Sequence, residues 1–149
     1  MKFLVAVDGS EKSKDALRHA IRIARLDDVQ VTAVHAVDPE VFTEGGVEEV
    51  GGISEADQRI ILENVEDAED RGDRILENIE EVAEREGYSI ETEMLYGNPI
   101  EVVPRYAEET EFDNIFVGHR GMSEKTESLL GSVAKTLVER ASVPVTVVR

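Results

Sequence analysis

Residues 117–133 read VGHRGMSEKTESLLGSV. A strand-like run, NIFV at 114–117, leads into them, and a helical pattern over 132–141 follows. Gly118 and Gly121 stand three apart, and Gly131 and Ser132 open the helix after nine intervening residues. A strand, a glycine-bearing loop and a helix N-terminus together make a natural anion site. Glycine lets the backbone come close to a ligand. The first turn of a helix offers unpaired N–H groups at the positive end of its dipole. The guest expected there is a phosphate group.

Upstream, the same alternation repeats. The run KFLVAV at 2–7 is a short buried strand, closed by Asp8-Gly9-Ser10 with Ser10 as helix N-cap. Ala16, Leu17, Ala20, Ile21 and Ala24 recur at helical spacing. A second strand spans 29–37, and the glycine-rich stretch 38–52 reads as an exposed, mobile loop. A long helix follows at about 54–86. Its apolar stripe is Ile61, Val65, Ala68, Ile75, Ile79 and Val82, and Gly72 on that stripe marks a close contact or a bend. Gly87 stops it. A third strand is expected at 89–95, a helix from Asn98-Pro99, and a fifth strand at 145–148 after Pro144.

Strands alternating with helices imply an α/β fold: a doubly wound, five-stranded parallel sheet with helices on both faces. No internal repeat or linker divides residues 1–149, so a single domain is expected. In such sheets ligands bind at the carboxyl ends of the strands, where strand order reverses. If the first and fourth strands are neighbours, Asp8 faces the glycine loop. Its carboxylate then suits ribose hydroxyls, with phosphates on the N–H groups of Gly121, Gly131 and Ser132. The bland alternative is that Asp8 bonds its own turn. Arg120 and Lys125 would offset phosphate charge, or simply be solvated.

Composition narrows the partners. Thirty-three acids against sixteen bases give a net charge of −17, and only five of the bases are lysines. That surface suits no nucleic acid, which needs a basic footprint. No run approaches the ~20 apolar residues of a membrane span. The N-terminal MKFLVAVDGS lacks a cleavage pattern, and there are no cysteines, so a cytoplasmic setting is the default expectation. Acidic, lysine-poor composition resembles that of proteins from salt-accumulating, halophilic archaea. At about 1 M salt the Debye length falls to ~3 Å and self-repulsion is screened.

The whole pattern resembles the universal stress protein family. The VAVDGS opening, VHAVDP at the second strand end, the GNP turn and the PVTVV terminus stand in the expected order. The spacing Gly118-x2-Gly121-x9-Gly131-Ser132 is similar to the motif of the ATP-binding branch. The resemblance implies strand order 3-2-1-4-5 and an adenine-nucleotide alpha hydrolase-like fold. It implies bound ATP, often with Mg2+, in a nucleotide-dependent stress-response module. It also implies a homodimer in which the final strand pairs across the axis. Residue by residue, Asp8 matches the ribose-contacting acid, and Gly118, Gly121, Gly131 and Ser132 match phosphate-binding positions. Arg120 lies at a commonly basic or polar position, and Val133 follows the motif in the same helical turn. Val31 or a neighbour in the second strand would line the adenine site. No metal ligand is assigned from the protein itself.

Rival chemistries fit less well. The P-loop pattern GxxxxGK[ST] fails because Gly131 is followed by Ser132 and Val133, so its lysine is missing. The GxGxxG fingerprint is missing, as is the GxSxG elbow that a Ser10–His35–Asp8 triad would need. A phosphoacceptor receiver domain fails on its acidic pair, its third-strand aspartate and its fifth-strand lysine. No base is evidently placed to activate water, so at most a slow ATPase is expected. The remaining alternative is a dimeric interaction module that binds no nucleotide.

Overall fold

A computed structural model describes residues 1–38, 55–120 and 130–149, with backbone only for 55–64. The elements alternate in chain order: β1 (Lys2–Ala6), α1 (Glu11–Ala24), β2 (Gln30–Val37), α2 (Glu55–Arg85) and β3 (Glu91–Tyr96). Then come α3 (Pro99–Glu109), β4 (Asn114–Gly118), α4 (Ser132–Arg140) and β5 (Val145–Val148). All strand pairs are parallel, in the order β3-β2-β1-β4-β5. This is the doubly wound, five-stranded sheet that the alternation predicts.

Side-chain alternation along β1 splits the core into two layers. Phe3, Val5 and Val7 face α1 and α2, packing against Leu17, Ile21, Leu76 and Ile79. Leu4 faces the other way, packing with Val103, Ile115 and Leu137 under α3 and α4. Both faces of the central strand are therefore apolar, as burial on two sides requires.

Local chemistry fixes the boundaries. Ser10 caps α1, its hydroxyl accepting from the Ser13 N–H at 3.2 Å. Asn98 caps α3, its side chain accepting from the Ile100 N–H at 3.2 Å, with Pro99 in the first turn. Gly87, at φ +70, ends the turn after α2. Gly72 is a packing contact: a Cβ there would stand 2.7 Å from Met94 Cε and 3.1 Å from His35 Cδ2. The third strand starts later than expected, at Glu91, where pairing with Thr32 begins. Before it, the Tyr88 hydroxyl donates to the Val29 carbonyl. The stretch 39–54 and residues 121–129 lie outside the described residues, and with them the expected mobile loop, Gly121 and Lys125. Ile61 falls in the backbone-only part of α2.

Candidate functional site

β1 and β4 are neighbours in register, Phe3 opposite Asn114 and Ala6 opposite Val117. β1 connects onward toward β2 and β4 onward toward β5, so the sheet's order reverses between them. A cleft of about 130 Å³ opens at their carboxyl ends. Asp8, Gly118, Arg120, Gly131, Ser132 and Val133 all line it. Six of the seven expected site residues thus come together, although 110 residues separate Asp8 from Gly118 in the chain. The seventh, Gly121, lies outside the described residues.

One wall is apolar. Val34 and Ala36 come from β2, and Pro99 and Val103 from α3. This corrects the expectation for Val31. That residue sits at the start of β2, opposite Phe3, and is buried in the α1–α2 layer. Parallel strands have their carboxyl ends together, so the cleft meets the end of β2 and not its beginning. His35 reaches the same cleft, with Nδ1 2.9 Å from the Val7 carbonyl oxygen.

The other wall is polar. α4 begins here, with Gly131 as N-cap at φ −66 and ψ 157, and no side-chain cap. The first i to i−4 bond of α4 is made by the Lys135 N–H to the Gly131 carbonyl, at 2.9 Å. The N–H groups of Ser132, Val133 and Ala134 precede it and belong to the donor-rich first turn. The Gly131 N–H, expected to meet phosphate, instead donates to the His119 carbonyl at 2.6 Å. That bond holds the end of β4 to the start of α4.

Gly118 is also corrected. It is the last residue of β4, paired with Val148, not a loop residue. A Cβ on it would lie 2.8 Å from the Lys12 backbone. Its missing side chain lets α1 approach the sheet.

Asp8 does what an aspartate at a strand end does, and more. Its Oδ1 accepts from the Ser10 N–H at 3.0 Å and from the Ser10 hydroxyl at 2.5 Å. The same carboxylate is on the cleft wall. Ser10 therefore bonds Asp8 and the α1 backbone, and His35 bonds Val7; the three form no relay.

Arg120 brings positive charge to the polar end of the cleft, and His119 precedes it in the chain. Arg120 Nε and His119 Nδ1 are buried and lack hydrogen-bond partners among the described residues. Burial first, then the charges of Lys12 and Arg120, hold the His119 imidazole below its ordinary value. A buried guanidinium N–H without a partner is unusual, and Arg120 Nε suits a guest with acceptor oxygens. Among the described residues no group of three or more His, Cys, Asp or Glu is arranged to hold a metal ion. No described helix is long and apolar enough to cross a membrane.

The cleft residues missed by the sequence reading include Val34, His35 and Ala36 of β2 and Pro99 and Val103 of α3. The available signal was the position of Asn98-Pro99, which starts α3 beside the end of β2.

The fold and cleft define a doubly wound α/β protein with a crevice at its topological switch point. Residues 1–149 match the universal stress protein family, and the chain belongs to it. It is 34% identical to universal stress protein MJ0531 of Methanocaldococcus jannaschii, over 99% of this chain and 81% of that one. It is 32% identical to universal stress protein YxiE of Bacillus subtilis, over 99% and 98%. Among solved structures, UspA of Lactobacillus plantarum superposes with a TM-score of 0.81 at 24% identity, covering 100% of this chain and 97% of that one. Two others are ligand complexes, both at 24% identity. A universal stress protein with cAMP has a TM-score of 0.70 (100% and 97% covered). The Archaeoglobus fulgidus protein with dAMP has 0.64 (100% and 98%).

Proposed function

We propose that the chain is an ATP-binding regulatory protein of its family, holding the nucleotide in the cleft between β1, β4 and the start of α4. One observation carries this reading: an apolar wall from β2 and α3 faces a cationic, N–H-rich wall across one opening. The apolar wall suits a base. Asp8 suits ribose hydroxyls. The first turn of α4 and Arg120 suit phosphates. The dAMP and cAMP complexes of the two similar folds agree with an adenine nucleotide.

The residues fit this guest without a dedicated metal cage. Asp8 and the Ser132 hydroxyl are the cleft oxygens that would help hold Mg2+ together with the phosphates. Bound Mg2+ would supply charge neutralisation of the phosphates. In this reading the chain binds and orients the nucleotide, turns it over slowly at most, and uses it as a signal that favours one conformation or partner surface.

The proposed assembly is a homodimer through β5. The carbonyls of Pro144 and Val148 accept from β4, so alternation leaves the backbone groups of Val145 and Val147 on the outer edge. That edge carries no charged side chain between Val145 and Val148. The proposed setting is cytoplasmic and salt-rich, in keeping with the net charge of −17.

The deciding experiment is to purify the protein in high salt with magnesium, denature it and identify released nucleotide. Stoichiometric ATP supports the reading. An empty protein that also takes up no ATP by calorimetry overturns it in favour of a nucleotide-free interaction module.

A further inference from the structure

Val7 immediately precedes Asp8, and β2 holds it by both of its backbone groups. Its N–H donates to the Val34 carbonyl at 2.9 Å. Its carbonyl oxygen lies 2.9 Å from His35 Nδ1. A carbonyl only accepts, so Nδ1 carries the proton and the ring donates. This side-chain bond extends the contact between the two strands past the end of their register, at Ala6 opposite Val34. The ring is seated from its other side by α2. His35 and Met94 are partners across β2 and β3, and Gly72 covers both. A Cβ on Gly72 would stand 3.1 Å from His35 Cδ2 and 2.7 Å from Met94 Cε. Gly72 is buried and His35 half-buried, so the mid-helix glycine is what makes room for the imidazole.

We propose that His35 is a positioning residue for Asp8, and that through it the packing of α2 sets how firmly the cleft grips the ribose of its nucleotide. This rests on the nucleotide reading above. The Val7 carbonyl and the Asp8 N–H belong to one rigid peptide plane. Fixing that carbonyl fixes the plane from which the Asp8 side chain departs toward the cleft. At the far end of that side chain, Oδ1 accepts from the Ser10 N–H at 3.0 Å and from the Ser10 hydroxyl at 2.5 Å. Backbone and carboxylate are thus anchored separately, by β2 and by the start of α1. An acceptor held in place before its ligand arrives spends less of the interaction on ordering itself. The path runs from Gly72 to His35, from His35 to Val7, and from Val7 to the Asp8 carboxylate on the cleft wall.

The test is calorimetric titration of the full chain, in high salt with magnesium, with ATP, 2′-deoxy-ATP and 3′-deoxy-ATP. The wild type should prefer ATP to at least one deoxy analogue by about tenfold or more. In His35→Leu, which lacks a donor, that preference should fall to about threefold or less while the Kd of the analogue stays within about twofold. His35→Asn, whose amide nitrogen can stand where Nδ1 does, should restore it. In an Asp8→Ala background, His35→Leu should change no affinity further. Independently of any variant, a long-range ¹H–¹⁵N spectrum of the wild-type imidazoles at about pH 8, where an ordinary ring is neutral, should show His35 protonated at Nδ1. His35 protonated at Nε2 would overturn the proposal and leave the nucleotide reading standing. So would equal wild-type affinity for all three ligands, an undiminished ATP preference in His35→Leu, or a weakening of all three alike. A wild type that binds none of them overturns both.

Discussion

Gly118 and Lys12 are in such close contact that a Cβ on Gly118 would stand 2.8 Å from both the carbonyl carbon and the carbonyl oxygen of Lys12. The end of β4 is thereby clamped against the first turn of α1, and both border the cleft. The glycine that most resembles a ligand-binding residue is equally a packing residue.

Gly118→Ala should therefore lower stability by about 1–3 kcal/mol through overpacking, read as a shifted urea midpoint. It is a poor probe of nucleotide binding. Gly131→Asn is the better one, because φ is −66 and asparagine is a favourable N-cap. It should unfold near the wild-type midpoint yet lose ATP binding by calorimetry. Unchanged affinity would refute the phosphate assignment.

Ser10 serves two partners, Asp8 and the Ser13 N–H. Ser10→Ala should cost about 1 kcal/mol from the lost cap and remove the hydroxyl donor to Asp8 while the Ser10 N–H bond remains. Equilibrium unfolding and nucleotide titration should both change.

Burial, followed by Lys12 and Arg120, depresses the His119 pKa below its value in the unfolded chain. The unfolded state then binds the proton more readily. Stability contributed by neutral His119 is full above about pH 6.5 and declines as the pH falls through that value toward the folded pKa. His119→Gln should flatten that part of the stability profile. An identical profile in the variant would exclude His119 as its source.

The outer-edge N–H of Val147 makes no bond within the sheet of its own protomer, by the alternation of β5. Val147→Pro should accordingly leave β4–β5 pairing in place while converting a dimer to a monomer. Light scattering after size exclusion measures this directly, and a persisting dimer would remove β5 from the interface.

A net charge of −17 predicts self-repulsion that salt relieves. The thermal midpoint should climb between dilute, magnesium-free buffer and about 1 M KCl, where screening acts within ~3 Å. Full stability in dilute buffer would defeat the salt-adaptation reading.

The fold was legible because the strands are short, mostly apolar runs that alternate with helical spacing, and several boundaries carry a cap, a glycine or a proline. Ser10, Gly87 and Asn98-Pro99 are local signals, and local signals survive without a structure. The cleft was half legible. Asp8 and Ser132 follow from the rule that ligands meet the carboxyl ends of strands. Val31 misled because β2, buried on both faces, is apolar along its length and does not mark which end meets the ligand. The Gly131 N–H was assigned to phosphate because its bond to His119 crosses a segment whose closure no spacing reveals.

The two margins of the sheet are unlike. β3 presents exposed Glu91 and Glu93, whereas β5 ends the other side without a charge before Arg149. Carboxylates on an edge discourage an incoming strand. A sheet with one receptive margin can be extended once, and a two-fold pairing then uses up that margin on both copies. Growth halts there by geometry, so the same backbone that invites a partner forbids a fibre.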